Sequence, residues 1–382
     1  MYLFKKLELI GEQCMAVLKV KFDNILCFNK FEADFTYPKK LVKTPLDNEY
    51  LTNYPNIRYK KVNIIIGSNS SGKTSLGKAI WKTLGFMYNK EANPIKEMVA
   101  NKNKEAYLMI DIVFAKGLFE RFETIIEPNG EVLAKCQWLQ IKKDDTYDSL
   151  VARLNDSMLF EDYVKVLERA FICGWNISLP TNEIGFETIN CDYTAQEQNE
   201  FLPIYEKILK SFDPAIKEVF VSTEQEKTFI VRFYNGVTEA VTHGKKINSL
   251  EKMSSGTRNA INIAGIIYAI KKHDNGFYYV DEQFSFVNSD LELACLATMI
   301  ECLGDGEQLF FTTHNEEVMN ISLPLHSFSF LKKEKNDKNE FAVRLLNASA
   351  FEKRNNVSVK NLYDNDYFDI APDTSEVYGV LN

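Results

Sequence analysis

Residues 67–74 read Gly-Ser-Asn-Ser-Ser-Gly-Lys-Thr, with glycines and a Lys-Thr pair at the spacing of a phosphate-binding loop. The flanks have the order such a loop requires. Val62-Asn63-Ile64-Ile65-Ile66 is a short β-branched run that reads as a buried strand, and Ser75-Leu76-Gly77-Lys78-Ala79-Ile80-Trp81 starts a helix. In a strand, loop, helix unit the backbone from Gly67 and Ser68 through Asn69, Ser70, Ser71, Gly72, Lys73, Thr74 and Ser75 curls into an anion nest, and the helix dipole adds partial positive charge. Lys73 then reaches the β- and γ-phosphates of a triphosphate, and Thr74 holds Mg²⁺. ATP and Mg²⁺ are the expected cofactors.

Three further segments agree with this. Gly276-Phe277-Tyr278-Tyr279-Val280-Asp281-Glu282 is an apolar strand ending in two carboxylates, a Walker B pattern. Asp281 is expected to bind Mg²⁺ and Glu282 to polarise the water that attacks the γ-phosphate. Met253-Ser254-Ser255-Gly256-Thr257 precedes a helix expected over residues 258–272. Ser254, Ser255, Gly256 and that helix start make a second anion site with donors aimed outward. A second anion site is redundant on a chain with a complete phosphate loop unless it grips the γ-phosphate of ATP held by another copy. Gln308-Leu309-Phe310-Phe311-Thr312-Thr313-His314 is a second buried strand, ending in a histidine.

Met253 to Thr257 resembles the signature sequence of ABC-type ATPases, where Leu is more usual at the first position. The whole series of motifs resembles the RecF/SMC/OLD branch of those ATPases, and most of all the short OLD-like ATPases without a Toprim nuclease domain that are linked to abortive infection and other bacterial anti-phage systems. Ile208 to Lys217 and the tail from Arg354 to Pro372 resemble segments of that group. The resemblance implies an α/β ABC-type head: a mixed parallel sheet flanked by helices, an antiparallel β subdomain and a helical insertion lobe. It also implies that His314 contacts the γ-phosphate and helps to orient the attacking water. Two positions depart from the group's pattern, with Gln283 where proline is common and Asn288 where aspartate is common. No Q-loop glutamine is evident, since Gln137 and Gln140 read as strand residues and Gln196 and Gln198 as helical ones. Both departures fit slow or conditional ATP hydrolysis.

Composition bounds the partners. With 382 residues and 45% apolar content the chain can bury a large core. Its best apolar run, Ala260 to Ile270, is interrupted by Asn262, and the first residues lack a signal-peptide core, so the expected location is cytoplasmic with no membrane partner. Seven scattered cysteines give neither a zinc spacing nor a disulfide frame. The net charge of −8 argues against indiscriminate coating of nucleic acid, while Lys39, Lys40, Lys43, Arg58, Lys60 and Lys61 keep a local contact open.

Motif spacing divides the chain into 1–147, the first half of the head with the phosphate loop and an antiparallel meander; 148–227, a helical arm; and 228–382, the half with the signature, the carboxylate strand and His314. Strands are also expected over 2–10, 16–22, 106–114, 118–127 and 131–141. A hairpin is expected around Asn235-Gly236, a closing hairpin over 327–333 and 341–347, and an apolar helical stripe through Leu150, Leu154, Leu159, Tyr163, Val166, Leu167 and Ala170. Ser289-Asp290-Leu291-Glu292 reads as a capping box. Residues 315–382 are too few for a Toprim nuclease, and Asp364, Asp366 and Asp369 read as solvated. The expected function is an ATPase that dimerises head to head, or forms a larger homo-oligomer, and acts as sensor or scaffold for a separate effector (nuclease or toxin) in anti-phage defence. The alternative is a RecF/SMC-like DNA-binding ATPase of repair or chromosome maintenance. The nucleotide-binding subunit of a transporter ranks last.

Overall fold

The computed structural model describes residues 15–37, 46–170, 172, 174–179, 189–285, 287–335, 341–352, 354 and 357–370. The strand expected over 2–10, Lys39, Lys40, Lys43, Cys14, Cys173, Phe286 and the tail beyond 370 lie outside the described residues.

The central sheet is built from the runs of apolar residues. Its order is Trp175–Ser178, Phe277–Asp281, Gln308–Thr313, Val62–Ile66, Phe328–Lys335 and Phe341–Asn347. All neighbours are parallel except the last pair, which is the closing hairpin. Val62–Ile66, Phe277–Asp281 and Gln308–Thr313 are buried at every position, as parallel strands covered on both faces must be. The strand period separates the two faces. Ile65, Phe277, Tyr279 and Phe310 pack with Leu76 and Ile80 of the helix Lys73–Asn89, whereas Ile64, Tyr278, Val280 and Phe311 pack with Ile263 and Ile267 of Ser255–Lys272 and with Leu296 of Ser289–Cys302.

Against this sheet lies an antiparallel one, in the order Phe31–Asp34, Met15–Asp23, Ala106–Phe114, Leu118–Ile126, Val132–Gln140 and Glu161–Asp162. It contains the expected meander. Buried Gln308 ties the two sheets together: its amide accepts from Val17 N at 2.9 Å and donates to Val17 O and Lys60 O, both at 3.1 Å. The pairing register of Met15–Asp23 shifts between Val17 and Lys19, and a side-chain amide supplies the ladder contacts beside that irregularity.

A third core gathers the helix Ala195–Phe212, the strands Ile216–Val221, Thr228–Phe233 and Thr238–Thr242, and Ala260 and Ala264 of Ser255–Lys272. The hairpin around Asn235-Gly236 and the closing hairpin occur where expected. The helical stripe does not form one helix. Tyr147–Ala152 and Tyr163–Leu167 are short, Asn155 turns the chain by accepting from Ser157 N, and Leu159 is exposed. The helix expected from 258 starts three residues earlier, at Ser255.

Candidate functional site

Three parallel strands deliver their C-terminal ends to one edge of the sheet, where α/β folds place their ligands. The register sets Asp281 beside Thr312 and Thr313 beside Ile66, so Asp281 and His314 arrive next to the start of the phosphate loop. The strand that ends at His314 lies between the other two, an order the motifs alone do not give.

In the loop, Ser70 has φ of 63° and Gly72 φ of 109°; the second is a left-handed value that a Cβ-bearing residue adopts only with strain. Gly72 caps Lys73–Asn89 without a side-chain bond, and the first turn of that helix carries no acid. Its donors are therefore free for an anion. Gly77, one turn on, lies against the sheet: a Cβ there would stand 2.7 Å from the ring of Tyr279, whose hydroxyl donates to Lys73 O at 2.9 Å. That contact seats the helix start on the carboxylate strand.

The Lys73 side chain is 3% exposed. Its ammonium donates to Gly67 O at 2.6 Å and Ser68 O at 3.1 Å and pairs with Glu282 Oε1 at 3.0 Å. Glu282 has φ of 45°, unusual for a non-glycine residue, and its N–H donates to Thr312 O and Thr312 Oγ1, both at 3.2 Å. Backbone strain of this kind persists where the surroundings fix it, and here it aims the carboxylate into the loop.

Asp281 is fully buried. Burial pushes its carboxyl up to about 6, against hydrogen bonding by the Thr312 hydroxyl and the smaller pull of nearby Thr74. Asp281 Oδ2 has no hydrogen-bond partner, nor has buried Ser71 Oγ in the loop. A buried carboxylate oxygen left open beside the Thr74 hydroxyl is the donor chemistry a hard, oxygen-seeking cation requires, so the residues fit Mg²⁺.

Exposed His314 is held by its neighbours. Glu292 Oε1 accepts from the Thr313 hydroxyl and Oε2 from the Asn315 amide, each at 2.7 Å, and burial raises the Glu292 carboxyl. This corrects the capping box. Asn288 caps Ser289–Cys302 by accepting from Asp290 N at 2.8 Å, so Ser289 is already helical and Glu292 turns inward to the sheet. Glu292 is a residue of this site that the motifs did not single out. Its one signal is an acidic residue on an otherwise apolar helix face.

The signature lies at the surface. Ser254 caps Ser255–Lys272 and accepts from Thr257 N at 3.1 Å; Ser254 and Ser255 are exposed, Gly256 is partly exposed, and Met253 is buried as their anchor. Asn259 donates to Gln283 O at 3.3 Å, linking the first turn of this helix to the residue after Glu282. Gln283 is buried and donates to Asp281 O. Gln137 and Gln140 lie on the strand Val132–Gln140, as expected; Gln137 accepts from Asn155 N and Gln140 donates to Gly117 O. Asp364 pairs with Lys360 and Asp369 with Lys332; among the described residues no His, Cys, Asp and Glu cluster could hold a metal by itself, and no helix is long and apolar enough to cross a membrane.

No family model matches the chain. Over 130 residues it is 25% identical to the chromosome partition protein Smc of Methanocaldococcus jannaschii, a stretch covering 33% of this chain and 11% of that protein. The chain thus spans about a tenth of that relative's length. Among solved structures it is similar to an SmcHead bound to the C-winged helix domain of ScpA, with a TM-score of 0.53 at 15% identity over 87% of this chain and 99% of that one. It is also similar to the Smc head domain with an extended coiled coil from Pyrococcus furiosus, bound to the C-terminal domain of ScpA, with a TM-score of 0.53 at 12% identity over 88% and 97%. The fold is that of an ABC-type ATPase head. Within that class its architecture is shared with SMC heads.

Proposed function

We propose that this chain binds ATP with Mg²⁺ and hydrolyses it slowly between two copies joined head to head. The observation that carries the reading is the pairing of a buried, cation-ready site at Asp281 and Lys73 with an exposed Ser254-Ser255 helix start on the same chain. Backbone groups from Gly67 to Ser75 cradle the phosphates, and Lys73 leaves Glu282 for the β- and γ-phosphates. Thr74 and Asp281 would hold Mg²⁺, which would supply charge neutralisation at the transferred phosphoryl group. Glu282, released from Lys73, polarises the attacking water, and His314, braced by Glu292, contacts the γ-phosphate. Ser254, Ser255 and Gly256 of the second copy close the site from the other side. Within residues 148–227, the helix Ala195–Phe212 and the strand Ile216–Val221 work with the signature half, whose strand Thr228–Phe233 pairs with Ile216–Val221.

The engaged pair regulates a separate effector, a nuclease or toxin, in anti-phage defence; the motif resemblance to OLD-like ATPases supports this reading, as it does a cytoplasmic setting. The Smc likeness favours a second reading, a DNA-binding ATPase of repair or chromosome maintenance. Measuring the mass of the Glu282→Gln protein with and without Mg-ATP tests the head-to-head arrangement. DNA-stimulated hydrolysis separates the two roles: stimulation by duplex DNA supports chromosome maintenance, and indifference to DNA with copurification of a toxic neighbour supports defence.

A further inference from the structure

Beside the signature stands an apolar protrusion that the hydrolytic site does not use. Tyr234 and Val237 flank the Asn235-Gly236 turn and are 72% and 38% exposed. Two tethers fix this turn to the signature. Lys252, one residue before Met253, donates from its ammonium to Thr238 O at 2.8 Å and from its backbone to Glu239 Oε2 at 3.3 Å. On the other side the Thr257 hydroxyl reaches Asp213 Oδ2 at 3.4 Å, Asp213 Oδ1 accepts from Ala215 N at 3.0 Å, and Tyr234 N donates to Ala215 O at 3.0 Å. Two chains of hydrogen bonds thus tie the turn that carries exposed Tyr234 and Val237 to the segment that carries exposed Ser254 and Ser255.

Beside the phosphate loop lies the complementary feature. A groove of about 920 Å³ runs between the Asn24 to Lys30 loop and the outer strand Phe341–Asn347; Phe341 and Val343 give it an apolar wall, and Asp23, Glu32, Glu105, Lys30, Lys104 and Arg344 charge the rest of its lining. Buried Val343 separates it from the loop: a Cβ on Gly72 would stand 3.6 Å from Val343 Cγ1. Phe341 is 53% exposed within it. Its volume lies at the upper end of the roughly 300–1,000 Å³ of ligand pockets, which leaves space beyond a nucleoside.

We propose that Tyr234 and Val237 of one copy seat in the groove of a second copy, against Phe341, and form the outer wall of the nucleoside end of the site. The proposal rests on the head-to-head reading: when a signature faces a phosphate loop, what flanks the one meets what flanks the other. Exposed aromatic residues anchored on rigid turns are the side chains that concentrate interface energy.

The test is a double-mutant cycle on the Glu282→Gln protein, read as the dissociation constant of its Mg-ATP dimer by analytical ultracentrifugation. Tyr234→Ser and Phe341→Ser should each weaken the dimer at least tenfold, and the double variant should be little weaker than either alone, as coupled neighbours require. Unchanged melting temperatures, expected for exposed positions, exclude misfolding. A dimer indifferent to Tyr234→Ser, or losses that simply add, overturns the contact while leaving the head-to-head reading intact. A Glu282→Gln protein that stays monomeric in Mg-ATP overturns both.

Discussion

The two helix starts that face phosphate are built in opposite ways. Lys73–Asn89 begins at a glycine with no side-chain cap, on a loop with Lys73 held inside it and a carboxylate pair behind it. Ser255–Lys272 begins at a serine that satisfies one of its own N–H groups, and its remaining donors face solvent. The first is an enclosed site needing only a ligand. The second, whose neighbouring Lys252 is turned onto Thr238 O, gains a purpose when another molecule brings the phosphate. The contrast teaches that within one chain the strong and the weak half of a composite site can be told apart by burial and capping.

Substitutions should break the two halves unequally. Lys73→Ala removes the charged donor of the enclosed half and should weaken ATP binding by about 100-fold, roughly 3 kcal/mol, in a fluorescent-nucleotide titration. Glu292→Ala leaves the Thr313 hydroxyl and Asn315 amide without their acceptor, and should lower turnover about tenfold, roughly 1.4 kcal/mol, in a phosphate-release assay while ATP-driven association persists.

Acidity acts on the enclosed half alone. Asp281 must be ionised to ligate Mg²⁺, and its carboxyl is pushed up to about 6. Mg-ATP affinity should be flat above pH 7 and fall as pH drops through 6, approaching tenfold per unit, a dependence that Asp281→Asn abolishes. The sign for stability is the reverse. A raised carboxyl favours the folded state at low pH, so the Mg²⁺-free protein should lose that contribution as pH rises from about 4 through 6 in thermal melts. The smallest effect belongs to the exposed half: Ser254→Ala removes one cap and should cost about 1 kcal/mol in chemical denaturation.

The motifs made the frame of the enclosed half legible because its parts are fixed by neighbours close in sequence: a strand, a tight glycine turn and a helix for the loop, and strand ends for Asp281 and His314. The hairpin at Asn235-Gly236 was legible for the same reason. What escaped depended on distant contacts. Glu292 reads as a cap from its spacing to Ser289, but Asn288 supplies the cap and frees the acid to brace a strand about twenty residues later. The stripe through Leu150 and Leu167 has helical spacing, yet Asn155 starts a turn and Glu161–Asp162 is drawn off to pair with Leu133 and Ala134. Spacing cannot foresee such pairing, because a sheet edge elsewhere in the chain decides it.

The central claim is that ATP joins two copies through the loop of one and the signature of the other. It is tested most directly by the mass of the Glu282→Gln protein in Mg-ATP, measured alongside the same protein carrying Ser255→Arg. The account predicts a doubled mass for the first and a single-subunit mass for the second, with equal ATP binding by both. Equal masses for the two proteins in Mg-ATP would contradict it.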